Sequence, residues 1–188
     1  MNPMDRSIFY AINRGPDGLD GFLSIFSVGI NSWFLRVPLL VLFIGLLWVA
    51  GKFRRAAVLA ILAWPLTDFT CSLLKKSIEF HRPWVDLTDT IYRWGKVGGS
   101  LSGTASSHAG NMAAVATTFW LCLGPKWGIP WAVVALLTGW SRVYGGHHFP
   151  SQVLFGWLVG TGIALLVHFV AKKIIASRSP EVPAPELP

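Results

Sequence analysis

Charge is what this sequence has least of. Only 13% of its 188 residues are Asp, Glu, Lys or Arg, about half the share found in an ordinary soluble domain. Acid is scarcer than base: 9 Asp and Glu stand against 16 Lys and Arg, for a formal net charge of +7. Carboxylates this few and this scattered cannot build an oxygen-rich cation site, so no metal and no other cofactor is expected. The two cysteines, Cys71 and Cys122, lie in apolar runs. They read as small buried hydrophobes rather than as a disulfide, a metal site or a nucleophile. A basic start followed by a compact apolar core is missing near the N-terminus, so no cleavable signal peptide is expected. The basic balance comes with no basic helix or RNA-binding signature, which argues against a nucleic-acid partner.

Apolar surface is what the chain has in abundance. It is 53% hydrophobic, with a mean hydropathy of +0.52 and 10 tryptophans. Long apolar runs and indoles suited to the membrane–water interface place it in the membrane class, and its length suits one domain. Residues 1–18 are polar and mixed, with a turn at Gly15-Pro16-Asp17-Gly18. Residues 19–34 are too short and too polar to span, and read as an amphipathic segment lying in the interface. Spans are expected over residues 35–50, 56–74, 107–123, 128–144 and 149–171. The fold predicted is therefore all-α: a polytopic membrane bundle of about five helices plus an N-terminal interfacial helix. Residues 1–176 form the membrane domain, and the Pro/Ser/Glu-rich residues 177–188 a disordered tail.

Parity gives the loops a side. With five alternating crossings, the polar stretch 75–106 and the turn 144–149 fall on one face. Lys52, Arg54, Arg55, Lys126, Lys172 and Lys173 fall on the other, which the positive-inside rule makes cytoplasmic. Lys75, Lys76, Arg82, Arg93 and Lys96 oppose that assignment, unless some of them are kept outside for an anion.

Three polar clusters share the outer face. Lys75 and Arg82 lie seven residues apart, so they share a stripe if the second helix runs on and Pro83 stops it. Two such cations make a phosphate or carboxylate clamp; the bland reading is a snorkelling basic helix end. Gly103-Thr104-Ala105-Ser106-Ser107-His108 opens the third span, either as an ordinary cap or as an anion-binding helix N-terminus with His108 beside it. Ser141-Arg142-Val143-Tyr144-Gly145-Gly146-His147-His148 joins the last two spans, with Gln152 one helical turn beyond His148. Read alone it is a polar turn. Jointly, Lys75, Arg82, Ser106, Arg142, His108 and His148 describe a phosphate site with two imidazoles. One can attack phosphorus and the other can protonate the departing oxygen. His147 and His81 read as interface bystanders, His168 as a packing residue, and Asp68 as a carboxylate bonded within the bundle.

These residues resemble the motifs of the type 2 phosphatidic acid phosphatases. Lys75…Arg82-Pro83 fits the first motif. Ala105-Ser106-Ser107-His108 fits the second at its serine and histidine, with Ala105 in the proline place and Ser107 in the glycine place. Ser141-Arg142…His148…Gln152 fits the third except at its last position, where the family has aspartate. The resemblance covers about residues 35–171. It implies His148 as nucleophile, forming a phosphohistidine, and His108 as the acid on the leaving group. It implies Lys75, Arg82, Ser106, Arg142 and the Ser107 backbone N–H as phosphate ligands, with Gln152 orienting His148. It also implies an integral membrane lipid phosphatase of a bacterial inner membrane, its site facing outward. Its substrates would be lipid phosphates such as undecaprenyl diphosphate, phosphatidylglycerol phosphate or lipid A, and membrane lipids its surroundings. No obligate protein partner is expected. The neutral Gln152 leaves two alternatives standing, an impaired lipid-phosphate binder or transporter and a lipid phosphotransferase.

Overall fold

The structure, a computed structural model, describes residues 2–29 and 32–178. Eight α-helices account for most of them: α1 (Pro3–Asn13), α2 (Asp20–Ser27), α3 (Trp33–Trp48), α4 (Lys52–Ser77), α5 (Pro83–Asp86), α6 (Ser107–Leu123), α7 (Pro125–Tyr144) and α8 (Pro150–Arg178). The five expected spans correspond to α3, α4, α6, α7 and α8.

Several boundaries differ from the sequence reading, each for a local reason. Residues 1–18 contain a helix, because the Asn2 side chain accepts from Met4 N at 3.0 Å and Pro3 fills the first helical position. α4 ends at Ser77, so Lys75 and Arg82 do not share a helical stripe. Arg82 is extended, as a residue before proline prefers, and Pro83 starts α5 rather than stopping α4. α8 runs on to Arg178, so Ser177 is helical; the rest of the expected tail, residues 179–188, lies outside the described residues.

α6 is the pillar, packed against α4, α7 and α8. Ser106 caps its start, and Gly124, with φ of 83°, ends it and turns the chain into α7 across a single residue. Against α8 the two backbones nearly touch. A Cβ on Gly156 would come 2.5 Å from the Ser106 carbonyl oxygen, and one on Gly160 would strike the Gly110 carbonyl. The Gly156–Gly160 pair is the small-xxx-small device of membrane helices, which lets van der Waals packing replace a hydrophobic driving force that lipid removes. Buried alanines of α4 (Ala56, Ala57, Ala60, Ala63) serve the same purpose opposite α6. α3 buries no residue; it packs mainly on α4 and touches α6 and α7 through Phe43, which meets Phe119 and Trp131.

The outer surface is apolar around the bundle: Phe34 and Leu40 on α3, Leu62 and Phe69 on α4, Leu136 on α7, and Leu158 and Phe169 on α8 are all exposed. Surface of that kind and extent belongs in hydrocarbon, where helices satisfy their own backbone groups. By length and composition, Lys52–Ser77 and Pro150–Ser177 can each cross a membrane, and Trp33–Trp48 is a shorter apolar helix. α6 and α7 do not reach that combination: α6 has 17 residues, most of them small and buried against neighbours, and α7 packs small and polar residues on one face while Ile129, Val133 and Leu136 stay exposed on the other.

Candidate active site

The three polar clusters meet at one end of the bundle, around a cavity of about 890 Å³. Lys75, Arg82, Ser107, His108, Arg142 and His148 all line it. Ser106 and Gln152 stand behind this lining, Ser106 wholly buried and Gln152 nearly so. Lys75, at the end of α4, donates to Ser107 Oγ at 2.7 Å, joining the first cluster to the second. Arg82 reaches the site from the loop. Its Nε donates to Ser102 Oγ at 3.0 Å and its Nη1 to the His147 carbonyl at 3.1 Å. The Gly98 backbone lies against its guanidinium so closely that a Cβ there would come 2.6 Å from Cζ. Arg142, in the last turn of α7, donates from Nη1 to Ser27 Oγ at 2.6 Å, while its Nε is buried without a partner.

The turn after α7 aims His148. The Arg142 carbonyl accepts from both the His147 and His148 amides, at 3.0 and 3.2 Å, closing the helix end. Gly146 takes φ of 76°, a left-handed conformation that costs glycine nothing. Gln152 then fixes the ring. Its Nε2 donates to the His81 carbonyl at 2.7 Å, and its Oε1 accepts from Phe149 N at 3.1 Å. These two partners determine which end of the amide is oxygen. The same Oε1 lies 3.1 Å from His148 Nδ1, so Nδ1 carries the proton and Nε2 is left with its lone pair. Burial, then the charges of Arg82, Arg142 and Lys75, push the His148 pKa well below its ordinary value. The ring is therefore neutral at neutral pH.

Among the described residues lining the cavity, Arg36, Lys75, Arg82 and Arg142 are cations and Asp68 is the one carboxylate, so the balance is positive and an anion completes it. A phosphoryl group has the charge and the number of acceptor oxygens to engage Lys75, Arg82 and Arg142 together.

Two expectations change. His147 is no interface bystander: it is 2% exposed, packs edge-on against Tyr92 at 4.6 Å between centroids, and supports Arg82 through its carbonyl. Burial, then Arg142 and Arg82, lower its pKa to about 3. His81 is half exposed, with Nδ1 2.7 Å from Asp86 Oδ1, yet its carbonyl anchors Gln152. Ser27 and Ser102 were not foreseen, because single serines 115 and 20 residues from the arginines they hold carry no local pattern. The Gly156–Gly160 spacing was visible in the sequence and could have located the α6–α8 contact.

An all-helical membrane bundle with this cationic, two-histidine mouth belongs to the phosphatase class. More specifically, the chain belongs to the PAP2 superfamily, whose family model matches residues 54–175. It is 42% identical over 62 residues to an undecaprenyl-diphosphatase of Sulfolobus acidocaldarius. That segment is 32% of this chain and spans only 30% of the relative's length. Among solved structures it is similar to Aquifex aeolicus LpxE, at 23% identity and a TM-score of 0.73, over 89% of this chain and 96% of that one. It is also similar to the transmembrane PAP2-type phosphatidylglycerolphosphate phosphatase from Bacillus subtilis, at 24% identity and a TM-score of 0.68, over 92% and 89% of the two chains. These two likenesses concern the fold.

Proposed function

We propose that this protein removes the terminal phosphate from a membrane lipid phosphate or diphosphate through a phosphohistidine on His148. The observation that carries the reading is the Gln152–His148 contact of 3.1 Å, which holds the proton on Nδ1 beside a cavity lined by Lys75, Arg82 and Arg142. In the first step His148 Nε2 attacks phosphorus, the phosphorus–oxygen bond to the leaving group breaks, and His108 gives that oxygen its proton. In the second, water attacks the phosphohistidine as His108 takes a proton from it, and inorganic phosphate departs. Lys75, Arg82 and Arg142 stabilise charge on the equatorial oxygens, with the Ser107 N–H as a further phosphate ligand at the α6 N-terminus; Ser106, expected as a ligand, is buried behind the lining and caps that helix instead. The site faces the outer side of the plasma membrane, a reading supported by the basic residues Lys52, Arg54, Lys172 and Lys173 near the opposite helix ends.

The test is phosphate release by the purified full chain in detergent from undecaprenyl diphosphate, phosphatidylglycerol phosphate and lipid A. Wild type releases phosphate from at least one, and His148→Ala lowers that rate by about 10⁴ or more, the scale expected on losing a nucleophile. An acid-labile, base-stable phosphoryl-protein should be trapped from the wild type only. Release that survives His148→Ala defeats the mechanism. Binding without release from any of the three would leave a lipid-phosphate binder.

A further inference from the structure

The cavity runs past the phosphate ligands, with α4 and α6 on one side and α3 on the other. α3 meets it through Trp33, Arg36, Leu40, Phe43 and Leu47, spaced three or four residues apart along one helical face. Arg36 is the one charged residue in the whole of α3. A guanidinium on a membrane helix is costly, and residues of that kind face cavities and mark substrate paths. The short turn at residues 49–51 makes α3 and α4 antiparallel. Counted from that turn at about 1.5 Å per residue, Arg36 is roughly level with the stretch from Trp64 to Asp68, deeper in the bundle than Lys75.

The charge balance points the same way. Asp68 is the one carboxylate among the described residues lining the cavity, and it offsets one of the four cations. A phosphate monoester carries about 1.5 to 2 negative charges at pH 7. With such a group on Lys75, Arg82 and Arg142, the lining keeps a net positive charge. Asp68 is itself held by Asn111 Nδ2 at 3.3 Å, and the five N–H donors of Arg36 can serve a carboxylate and a phosphate oxygen together.

Resting on the phosphatase reading above, we infer that Arg36 binds a second anionic group of the substrate, a phosphodiester several bonds nearer the acyl chains than the scissile phosphate. The preferred substrate class is then a lipid with a terminal phosphate monoester and an internal phosphodiester. A lipid with a single phosphate leaves Arg36 unused. So does a polyprenyl diphosphate, whose two phosphorus atoms share one bridging oxygen and stay together at the Lys75 end. Beyond Arg36 the α3 face is apolar down to Leu47, opposite Ile61 and Trp64, which suits the start of an acyl chain.

The experiment compares kcat/KM for dioctanoyl phosphatidylglycerol phosphate, dioctanoyl phosphatidic acid and farnesyl diphosphate, using the purified full chain in detergent. The first two differ in the internal phosphodiester and its glycerol, with the same acyl chains. Wild type should favour phosphatidylglycerol phosphate over phosphatidic acid by tenfold or more. Arg36→Gln should lose at least tenfold on phosphatidylglycerol phosphate, mainly through KM, and less than threefold on the other two. Arg36→Lys, which keeps the charge, should recover most of that loss. Equal wild-type rates on the two glycerolipids, or equal losses on all three substrates in Arg36→Gln, would overturn the subsite while His148-dependent release left the phosphatase reading intact. A loss on farnesyl diphosphate as large as that on phosphatidylglycerol phosphate would overturn the assignment to a phosphodiester. Release from none of the three by wild type would overturn both readings.

Discussion

α6 and α3 wall the same cavity and are built on opposite terms. α6 buries ten of its 17 residues, Ala109 to Ala116 with Thr118 and Phe119, against three neighbouring helices. α3 buries none, leans mainly on α4 and reaches α6 and α7 through the Phe43 ring and its neighbour Leu46. The chemistry sits on the packed side, where His108 is fixed in the first turn of α6 and Gln152 and Ser106 tie the starts of α8 and α6 through a 3.0 Å backbone hydrogen bond. The lipid-facing wall is the unpacked side. Transition-state stabilisation demands donors and cations held to a fraction of an ångström, whereas hydrocarbon chains only need an apolar surface that can yield. The division between rigid and adaptable walls follows from what each must recognise.

The sharpest way to break the comparison is to separate α6 from α8. Gly160→Val would drive a branched side chain into the Gly110 carbonyl, which is backbone and cannot move aside. Overpacking typically costs about 1–3 kcal/mol and more where nothing can relax, so this variant should lose its compact fold and all phosphate release. Size-exclusion elution and thermal melting in detergent would register it. Gly162→Val, on the same helix with nothing within 4 Å of its Cβ position, should retain both.

A smaller effect is expected at Ser27, which lies outside the family-matched segment. Its hydroxyl is wholly buried behind Arg142 and accepts from its Nη1 at 2.6 Å, which ties α2 to the site. Hydrogen bonds to charged groups contribute about 1.5–3 kcal/mol. Ser27→Ala should therefore raise KM, and the inhibition constant of inorganic phosphate, about tenfold with kcat nearly unchanged, and Ser27→Thr should restore both. A fall in kcat at constant KM would mean that Ser27 supports folding rather than the aim of Arg142.

What could be read before the structure was what short-range pattern controls. The start of α6 was legible from Ser106 and the apolar run behind it, and the three clusters were legible from their spacing. Pro83 misled because proline both ends and begins helices, and only the path of the backbone from Ser77 to Arg82 decides between these. His147 and His148 are adjacent and chemically identical in sequence. The positive φ of Gly146 and the anchor on Gln152 give one the cavity and the other a pocket beside Tyr92. The roles of Ser27 and Ser102 rest on contacts 115 and 20 residues distant, which one sequence does not encode in any local pattern.

Gln152→Asp sharpens the packed side without breaking it. An aspartate adds a negative charge at His148 Nδ1 but loses the amide that donates to the His81 carbonyl. Because these effects oppose one another, kcat should change by less than about tenfold, well short of the roughly 10⁴ seen when a serine-protease aspartate is swapped with its amide. The pH profile should move more clearly. In the native chain the His148 pKa is held well below its ordinary value, so the ring stays neutral and kcat/KM keeps its acidic limb well below about pH 6.5. The aspartate raises that pKa, so protonation removes the nucleophile earlier as pH falls and the acid limb shifts upward. An unmoved limb would mean that His148 does not set it.

The smallest change is expected on the unpacked side. Leu40 of α3 is 60% exposed and lines the cavity, and no buried contact depends on it. Leu40→Ala should leave the melting temperature within error, since surface substitutions rarely exceed about 0.5 kcal/mol. It removes apolar area from the wall that a lipid chain would touch, at about 25 cal/mol per Å². KM for a long-chain substrate should therefore rise about two- to fivefold, while hydrolysis of a short soluble phosphate ester stays unchanged. Equal losses on both esters would show that α3 shapes the phosphate site itself, and the contrast between a rigid chemical wall and a yielding lipid wall would fail.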